Sequence, residues 1–152
     1  MMLSCKQMAE KLAAAAMRCE NRLVIPTEEL MTELQAMSKS FIGHYQDGWA
    51  PLAESTLNGW DGHPGKIALG YAPPDNPLLR TGEMMSSITF EVEMPRFGLV
   101  EGVLGSDSKV ALDQEVGTVK IPPRPFLALA MSRSYAPAER IYGQFALALL
   151  EF

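Results

Sequence analysis

The sequence contains few of the residues from which metal sites and covalent active sites are built. Its 152 residues include two cysteines and two histidines. Cys5 and Cys19 fall in a segment of helical composition, where a rise of about 1.5 Å per residue separates them by roughly 21 Å, too far for a disulfide. His44 and His63 stand at no spacing that would complete a metal site with either cysteine. We therefore expect reduced cysteines, no metal and no cofactor.

Positive charge is also in deficit. Thirteen Lys and Arg residues face eighteen Asp and Glu residues, so the formal net charge is -5. Proteins that bind nucleic-acid phosphates do so through basic surfaces that release counterions. The charge balance therefore argues against a nucleic-acid-binding module.

Long hydrophobic runs are missing as well. The Ala-rich N-terminus, MMLSCKQMAEKLAAAAMRCENRL, is interrupted by Lys6, Glu10 and Lys11, and no segment reaches the length of a membrane span. Hydrophobic residues still make up 47% of the chain, enough for a sizeable core in one domain. We expect a single soluble, intracellular domain over residues 1–152 that does not contact a membrane.

Two helices are expected within residues 3–45. The composition of residues 3–22 favours the first, with Met8, Leu12, Ala15 and Cys19 on one face. Residues 24–26 should end it. Thr27 is then a natural N-cap for a second helix that reaches about Tyr45. Its expected buried residues are Leu30, Leu34, Met37, Phe41 and Tyr45.

Residues 46–77 are expected to form a long loop. Seven Gly and five Pro lie between Gly43 and Gly82, a density that no helix or central strand tolerates. Loops of this length are usually functional or become ordered against a partner. Trp60 therefore suggests an interface anchor, whereas Trp49 is equally compatible with packing on the domain's own core.

GWDGHPGK, residues 59–66, is similar to a phosphate-binding loop but lacks its spacing. Five residues, not four, separate the first Gly from the Gly-Lys pair, and Ile67 stands where Ser or Thr would hold magnesium. We interpret it as part of the flexible loop.

Alternation of period two in ITFEVEM predicts a strand over residues 88–94. Residues 95–96 are expected to form a turn into a second strand over residues 97–106, and Thr81 should cap a short helix before the hairpin. Residues 109–115 suit a short helix or an irregular connection, and residues 116–121 could add an edge strand.

Two further helices are expected towards the C-terminus. Pro125 suits the first position of one, with Phe126, Leu127, Ala130 and Met131 inward. Pro137 should interrupt it before a final helix over residues 138–151. That helix should bury Ile141, Phe145, Ala148, Leu149 and Phe152. The predicted fold class is α+β: a small antiparallel sheet packed by N-terminal and C-terminal helices, with a long central loop, the sheet and C-terminal helices occupying residues 78–152.

The sequence offers little chemistry for an enzyme. No GxSxG elbow occurs, and no nucleophile stands beside an evident base. Five carboxylates could supply an acid–base pair, namely Glu83, Glu91, Glu93, Glu101 and Glu115. Glu91 and Glu93 fall on the predicted solvent face of a strand, where solvation explains them better. We expect no enzymatic activity, and a small cytosolic enzyme using Cys19 or a carboxylate pair is the alternative from another class.

Arg124 is the most distinctive side chain, because prolines flank it in QEVGTVKIPPRPFL, residues 114–127. The rigid prolines would align its planar guanidinium for several fixed hydrogen bonds. Those bonds serve equally well inside the subunit, to backbone carbonyls or a carboxylate, or across to a neighbouring subunit. Both interpretations stay open at this point.

Three segments together resemble the neck and tail-completion proteins of tailed bacteriophages, a family of head–tail joining and virion morphogenesis proteins. WAPLAEST at residues 49–56 is similar to the family's Trp-x-Pro-Leu segment followed by Thr. PLLRTGEMMSSI at residues 77–88 is similar to its Leu-x-Thr-Gly-x-Leu and Ser-Ile pattern. QEVGTVKIPPRPFL is similar to its Glu-x-Gly-Thr turn leading to Ile-Pro-x-Arg-Pro-Phe. The chain departs from the pattern by having Met84 in place of Leu and Val110 in place of an aromatic residue, both still apolar.

The resemblance implies a structural virion protein at the head–tail junction, assembled in the host bacterial cytoplasm. It implies a homo-oligomeric ring with sixfold symmetry, which contacts head-completion or connector proteins and tail terminator or tail tube proteins. DNA would pass its lumen without specific binding. A tail terminator that caps the tail tube is the close alternative. The implied structural or interface residues are Trp49, Thr81, Gly82, Glu115, Gly117, Thr118, Arg124, Pro125 and Phe126, and Trp60 is a further loop contact.

Overall fold

The computed structural model describes residues 4–20, 22–71 and 74–150 and has an α+β fold, as the sequence predicts. Helices lie at both ends of the chain, and two small antiparallel sheets lie between them. In chain order the elements are α1 (Cys5–Glu20), α2 (Val24–Phe41), α3 (Glu54–Asn58), β1 (Gly59–Trp60), β2 (His63–Pro64), α4 (Glu83–Ser86), β3 (Ile88–Arg96), β4 (Leu99–Ser106), α5 (Lys109–Val116), α6 (Leu127–Ser132) and α7 (Tyr135–Leu150). No helix in these described ranges is long and apolar enough to cross a membrane.

The chain divides into two compact units. We call Met1–Leu34, Phe90–Leu104 and Ser132–Phe152 the terminal unit, and Gln35–Thr89 with Gly105–Met131 the central unit. Each unit has its own buried apolar residues. In the terminal unit these include Ala15, Met31, Leu34, Ile141 and Leu149, and in the central unit they include Phe41, Met84, Ile88, Ala111, Phe126 and Ala130.

In the terminal unit, α1 packs against α7. Ala15 is buried as predicted, but Met8 and Leu12 are 42% and 50% exposed, so the predicted buried stripe is wrong at both. Among the described elements, α7 is the one that contacts α1 extensively. A single neighbouring helix covers only a narrow stripe of α1, so Met8 and Leu12 remain exposed.

The second helix begins earlier than the sequence suggests. It starts at Val24, so Thr27 is not its N-cap. Pro26 does not delay the helix, because a first-turn residue needs no intrahelical partner for its N–H. Thr27 is buried instead, where its hydroxyl donates to the Leu23 carbonyl at 2.7 Å and hydrogen-bonds the Tyr142 hydroxyl at 2.8 Å.

The same helix ends at Phe41, and Tyr45 is exposed rather than buried. Gly43 reverses the chain with a φ of 92°, which a residue with a side chain rarely adopts. Its N–H donates to the carbonyl of the buried Pro77 at 2.8 Å. This bond holds the far end of the predicted loop against the end of α2.

The β3–β4 hairpin lies where the alternating pattern predicts it. Its turn is at residues 97–98, with Gly98 at a φ of 77°, so the predicted turn at residues 95–96 is wrong. Pro95 is tolerated within β3 because a two-stranded sheet has edge positions that need no N–H. In the terminal unit Gly102 lies against α2, since a Cβ there would be 2.7 Å from Met31 Sδ.

The predicted central loop contains short regular elements. Besides α3, it contains an antiparallel pair in which Gly59 faces Pro64 and Trp60 faces His63. Asp61 and Gly62 connect the strands, with φ values of 39° and 80°. Positive φ at both central residues is the type I′ turn for which Asp-Gly is a preferred sequence.

Several predictions between Val116 and the C-terminus need correction. Residues 116–121 form no strand, because α5 extends to Val116 and Gly117 then turns the chain with a φ of 76°. Helix α6 begins at Leu127, two residues after Pro125, and Met131 is exposed. Pro137 lies in the first turn of α7, where proline is accepted, so it does not interrupt the helix. Ala148 is exposed rather than buried, and Phe152 falls outside the described residues.

Candidate functional site

The Glu115 carboxylate caps α6 in the central unit. Its Oε2 accepts the N–H groups of Phe126 at 2.8 Å and Leu127 at 2.9 Å, and Oε1 accepts that of Ala128 at 2.7 Å. These amides belong to the helix N-terminus, where no intrahelical carbonyl can serve them. The negative charge also complements the positive end of the helix dipole. Glu115 therefore joins the end of α5 to the start of α6.

The Gly117–Thr118 turn brings these two elements together. A Cβ at Gly117 would lie 2.9 Å from the Ile121 carbonyl oxygen and 2.9 Å from Pro123 N, so glycine is required by space as well as by its positive φ. Thr118 N–H donates to the Ile121 carbonyl at 2.8 Å, while its hydroxyl accepts the Lys120 and Ile121 N–H groups.

Arg124 leaves this turn as a buried cation, only 4% exposed. Its Nε and Nη2 donate to the Ala50 carbonyl at 3.3 and 3.0 Å, and Nη2 also donates to that of Pro51 at 3.2 Å. The backbone N–H of Arg124 donates to the Gln114 carbonyl at 2.7 Å. The guanidinium thus binds backbone carbonyls of the same subunit, the first of the two interpretations that the sequence left open.

The predicted site residues gather mainly around this cation. Six of them lie within residues 115–126, where Phe126 is fully buried: Glu115, Gly117, Thr118, Arg124, Pro125 and Phe126. Trp49 is half-buried and directly precedes the carbonyl that Arg124 binds. Thr81 and Gly82 lie apart, at the start of α4, where the Thr81 hydroxyl accepts the Glu83 N–H at 3.4 Å.

Lys66 is a second cation that holds a loop, and the sequence did not identify it. Its Nζ donates to the carbonyls of Asn76 at 2.8 Å and Leu79 at 3.0 Å. Burial lowers the pKa of the ammonium, and the charge of Asp75 opposes that shift. The partners are ten and thirteen residues away, beyond any spacing that predicts a contact, although the failed match to a phosphate-binding loop had drawn attention to Lys66.

These two cations border a groove of about 510 Å³ in the central unit. The groove runs past the β1–β2 turn, where Trp60 is 63% exposed and its ring lies 4.9 Å from that of His63. Thr81 and Gly82 line a separate depression of about 360 Å³ that shares Leu79 and Arg80 with the groove.

The structure accounts for four of the five carboxylates that the sequence offered as an acid–base pair. Glu115 is occupied by three backbone amides, and Glu91, Glu93 and Glu101 are exposed on the hairpin. Cys5 is exposed on α1. Within residues 4–20, 22–71 and 74–150 no three His, Cys, Asp or Glu side chains are grouped to hold a metal ion. In the central unit Glu115, Arg124 and Lys66 each fix a loop or a helix end through hydrogen bonds to the backbone.

No protein-family model matches this chain, and neither does any curated protein or solved structure.

Proposed function

We propose that the chain is a structural virion protein of the phage neck. Copies of it would form a ring, six in number by the resemblance, which completes the tail and joins it to connector proteins of the DNA-filled head. The observation that carries the proposal is the hydrogen bonding of Arg124, in the third resembling segment, to Ala50 and Pro51 in the first. Two segments 74 residues apart thus act as one structural feature.

The use of charge in the central unit supports a structural role. Glu115, Arg124 and Lys66 each make two or more hydrogen bonds to backbone groups there, and all three fix loops or a helix end. An enzyme would present such groups to a substrate, whereas a ring subunit needs a rigid frame for its contacts. The net charge of -5 suits a ring through which DNA passes without adhering.

Electron microscopy of lysates tests the proposal, using the phage or prophage that encodes the chain with its gene deleted. The joining role predicts separate DNA-filled heads and tails of normal length, with whole particles restored by the gene in trans. Overlong or ragged tails would assign the chain to tail termination instead. Intact infectious particles without the gene would contradict both roles.

A further inference from the structure

The groove of the central unit has a charge opposite to that of the whole chain. Its lining includes Arg80, Lys120 and His63, besides the loop-binding Lys66 and Arg124. Among the described residues that line it there is no Asp or Glu, although the chain has a net charge of -5. Neither Arg80 nor Lys120 forms an ion pair with any residue that the structure describes. Arg80 lies over the Tyr71 ring, 5.3 Å from its centroid, a contact that leaves its charge in place. Arg80 and Lys120 therefore offer positive charge without a carboxylate partner to an acidic ligand.

The same groove exposes apolar side chains. Trp60, Leu69 and Val110 all line it and are 63%, 45% and 57% exposed. A large aromatic ring beside aliphatic side chains and cations is typical of the centre of an interface, where burial of such residues contributes most to binding. A ligand that fits the groove should thus carry an apolar anchor as well as negative charge.

The β3–β4 hairpin has both complementary features. Glu91, Glu93 and Glu101 are exposed along it, and Phe97 at its turn is 70% exposed. The sheet has two strands, so each strand has an edge with backbone groups that the other does not pair. One hairpin thus presents acidic groups and an aromatic anchor, besides unpaired strand edges.

We propose that the groove of one copy binds the β3–β4 hairpin of a second copy, an inference that rests on the proposed ring. Phe97 would pack beside Trp60, and the hairpin carboxylates would pair with Arg80 and Lys120. Groove and hairpin are different surfaces, so the contact is heterologous and can repeat from copy to copy until a ring closes. Because the groove and the hairpin carry opposite charges, their contact would be favoured over contacts between two grooves or between two hairpins.

Charge exchange between two variants tests the contact. The groove variant is Arg80→Glu with Lys120→Glu, and the hairpin variant is Glu91→Lys with Glu93→Lys. Each alone should remain folded and lose the assembly that the wild-type chain shows by light scattering after size-exclusion chromatography. An equimolar mixture should regain it, because every groove then meets a hairpin of opposite charge. Matched controls with equal charge changes are Lys6→Glu with Arg22→Glu, and Glu28→Lys with Glu139→Lys, which should assemble normally.

Phe97→Ala supplies a milder second test, because its side chain is mostly exposed and the fold should not depend on it. Self-association should weaken about tenfold or more, as truncation of an interface anchor usually does. A wild-type chain that stays monomeric, single variants that assemble like the wild type, or a mixture that does not recover would each overturn this contact. The neck function is judged separately by the deletion phenotype, so the two can fail independently.

Discussion

Arg124 holds the Ala50 carbonyl oxygen with two guanidinium nitrogens, Nε at 3.3 Å and Nη2 at 3.0 Å. Pro123 and Pro125 flank the arginine, which restricts the backbone from which this fork projects. Because Arg124 is only 4% exposed, its guanidinium has lost most of its hydration. Hydrogen bonds to the backbone carbonyls compensate for that loss. The contact fixes the start of the long loop to the segment between α5 and α6.

We expect Arg124→Ala to lower the free energy of unfolding by about 3 kcal/mol, since it removes a buried side chain and the hydrogen bonds that it donates to the Ala50 and Pro51 carbonyls. Arg124→Lys keeps the charge but not the planar fork, so its loss should be smaller, about 1–2 kcal/mol. Urea unfolding of both variants measures this. Wild-type stability combined with failed assembly would instead place the role of Arg124 at a subunit interface.

Glu115→Ala should cost about 2 kcal/mol, because three N-terminal amides of α6 lose their acceptor. Glu115→Gln keeps a single carbonyl oxygen and should fall between the wild type and Glu115→Ala. Denaturant unfolding gives the comparison. Glu139→Ala, at an exposed position of α7, is the control and should change little. Equal effects of Glu115→Ala and Glu139→Ala would rule out the capping role.

Alanine substitution at two glycines should change the stability of the chain in opposite directions. A Cβ at Gly65 would lie 2.3 Å from both Gly59 N and Leu57 O, so Gly65→Ala should destabilise the chain by about 1–3 kcal/mol. Gly143 lies within α7 with open space around its Cβ position, so Gly143→Ala should stabilise the chain by about 0.5–1 kcal/mol. Melting temperatures of the two variants test this. A Gly65→Ala variant as stable as the wild type would contradict the packing around β1 and β2, and a destabilised Gly143→Ala variant would contradict the open space beside α7.

Lys66 should make stability depend on pH in the alkaline range. Burial lowers the pKa of its ammonium from 10.5, against the effect of Asp75, so the unfolded chain binds more protons than the folded one just below 10.5. The stability gained by deprotonating Lys66 is therefore fully present above pH 10.5, and it is lost as the pH falls through the lowered pKa. The stability difference between wild type and Lys66→Met should grow in favour of the wild type from neutral pH to above 10.5. Urea unfolding at several pH values would refute this if the difference stayed constant.

Trp60 should become protected from solvent only on assembly. A Trp49→Phe variant leaves Trp60 as the single tryptophan, and acrylamide, being neutral, quenches it independently of the groove's charge. We expect strong quenching in the isolated subunit, where the ring is 63% exposed, and weak quenching in the assembled form. Equal quenching in both forms would show that Trp60 lies outside the interface.

The sequence predicted the elements that have a local pattern. Alternation from Ile88 onwards located β3, the composition of residues 3–22 located α1, and the helical spacing of apolar residues after Thr27 located α2. The predicted starts of α2 and α7 were wrong because they were placed after prolines. Pro26 and Pro137 instead lie in the first turns of these helices, where the missing N–H costs nothing. The Asp61–Gly62 turn had a recognisable hairpin sequence that the glycine density of the loop obscured.

The contacts of the candidate site were harder to predict, because they join residues far apart in sequence. Glu115 was selected through the resemblance, yet its partners lie eleven to thirteen residues away, beyond the reach of a local capping pattern. The prolines around Arg124 indicated a fixed guanidinium but not its target. No sequence pattern predicted the contacts of Lys66, because its partners are backbone carbonyls, which any residue can supply.

The location of the chain in a virion tests the central claim most directly. Antibodies raised against the purified chain, with gold-labelled secondary antibodies, would be applied to particles of the phage or prophage that encodes it. The proposed function predicts gold at the junction between head and tail in whole particles. Absence of label from purified particles, or label along the tail or at its distal tip, would contradict it.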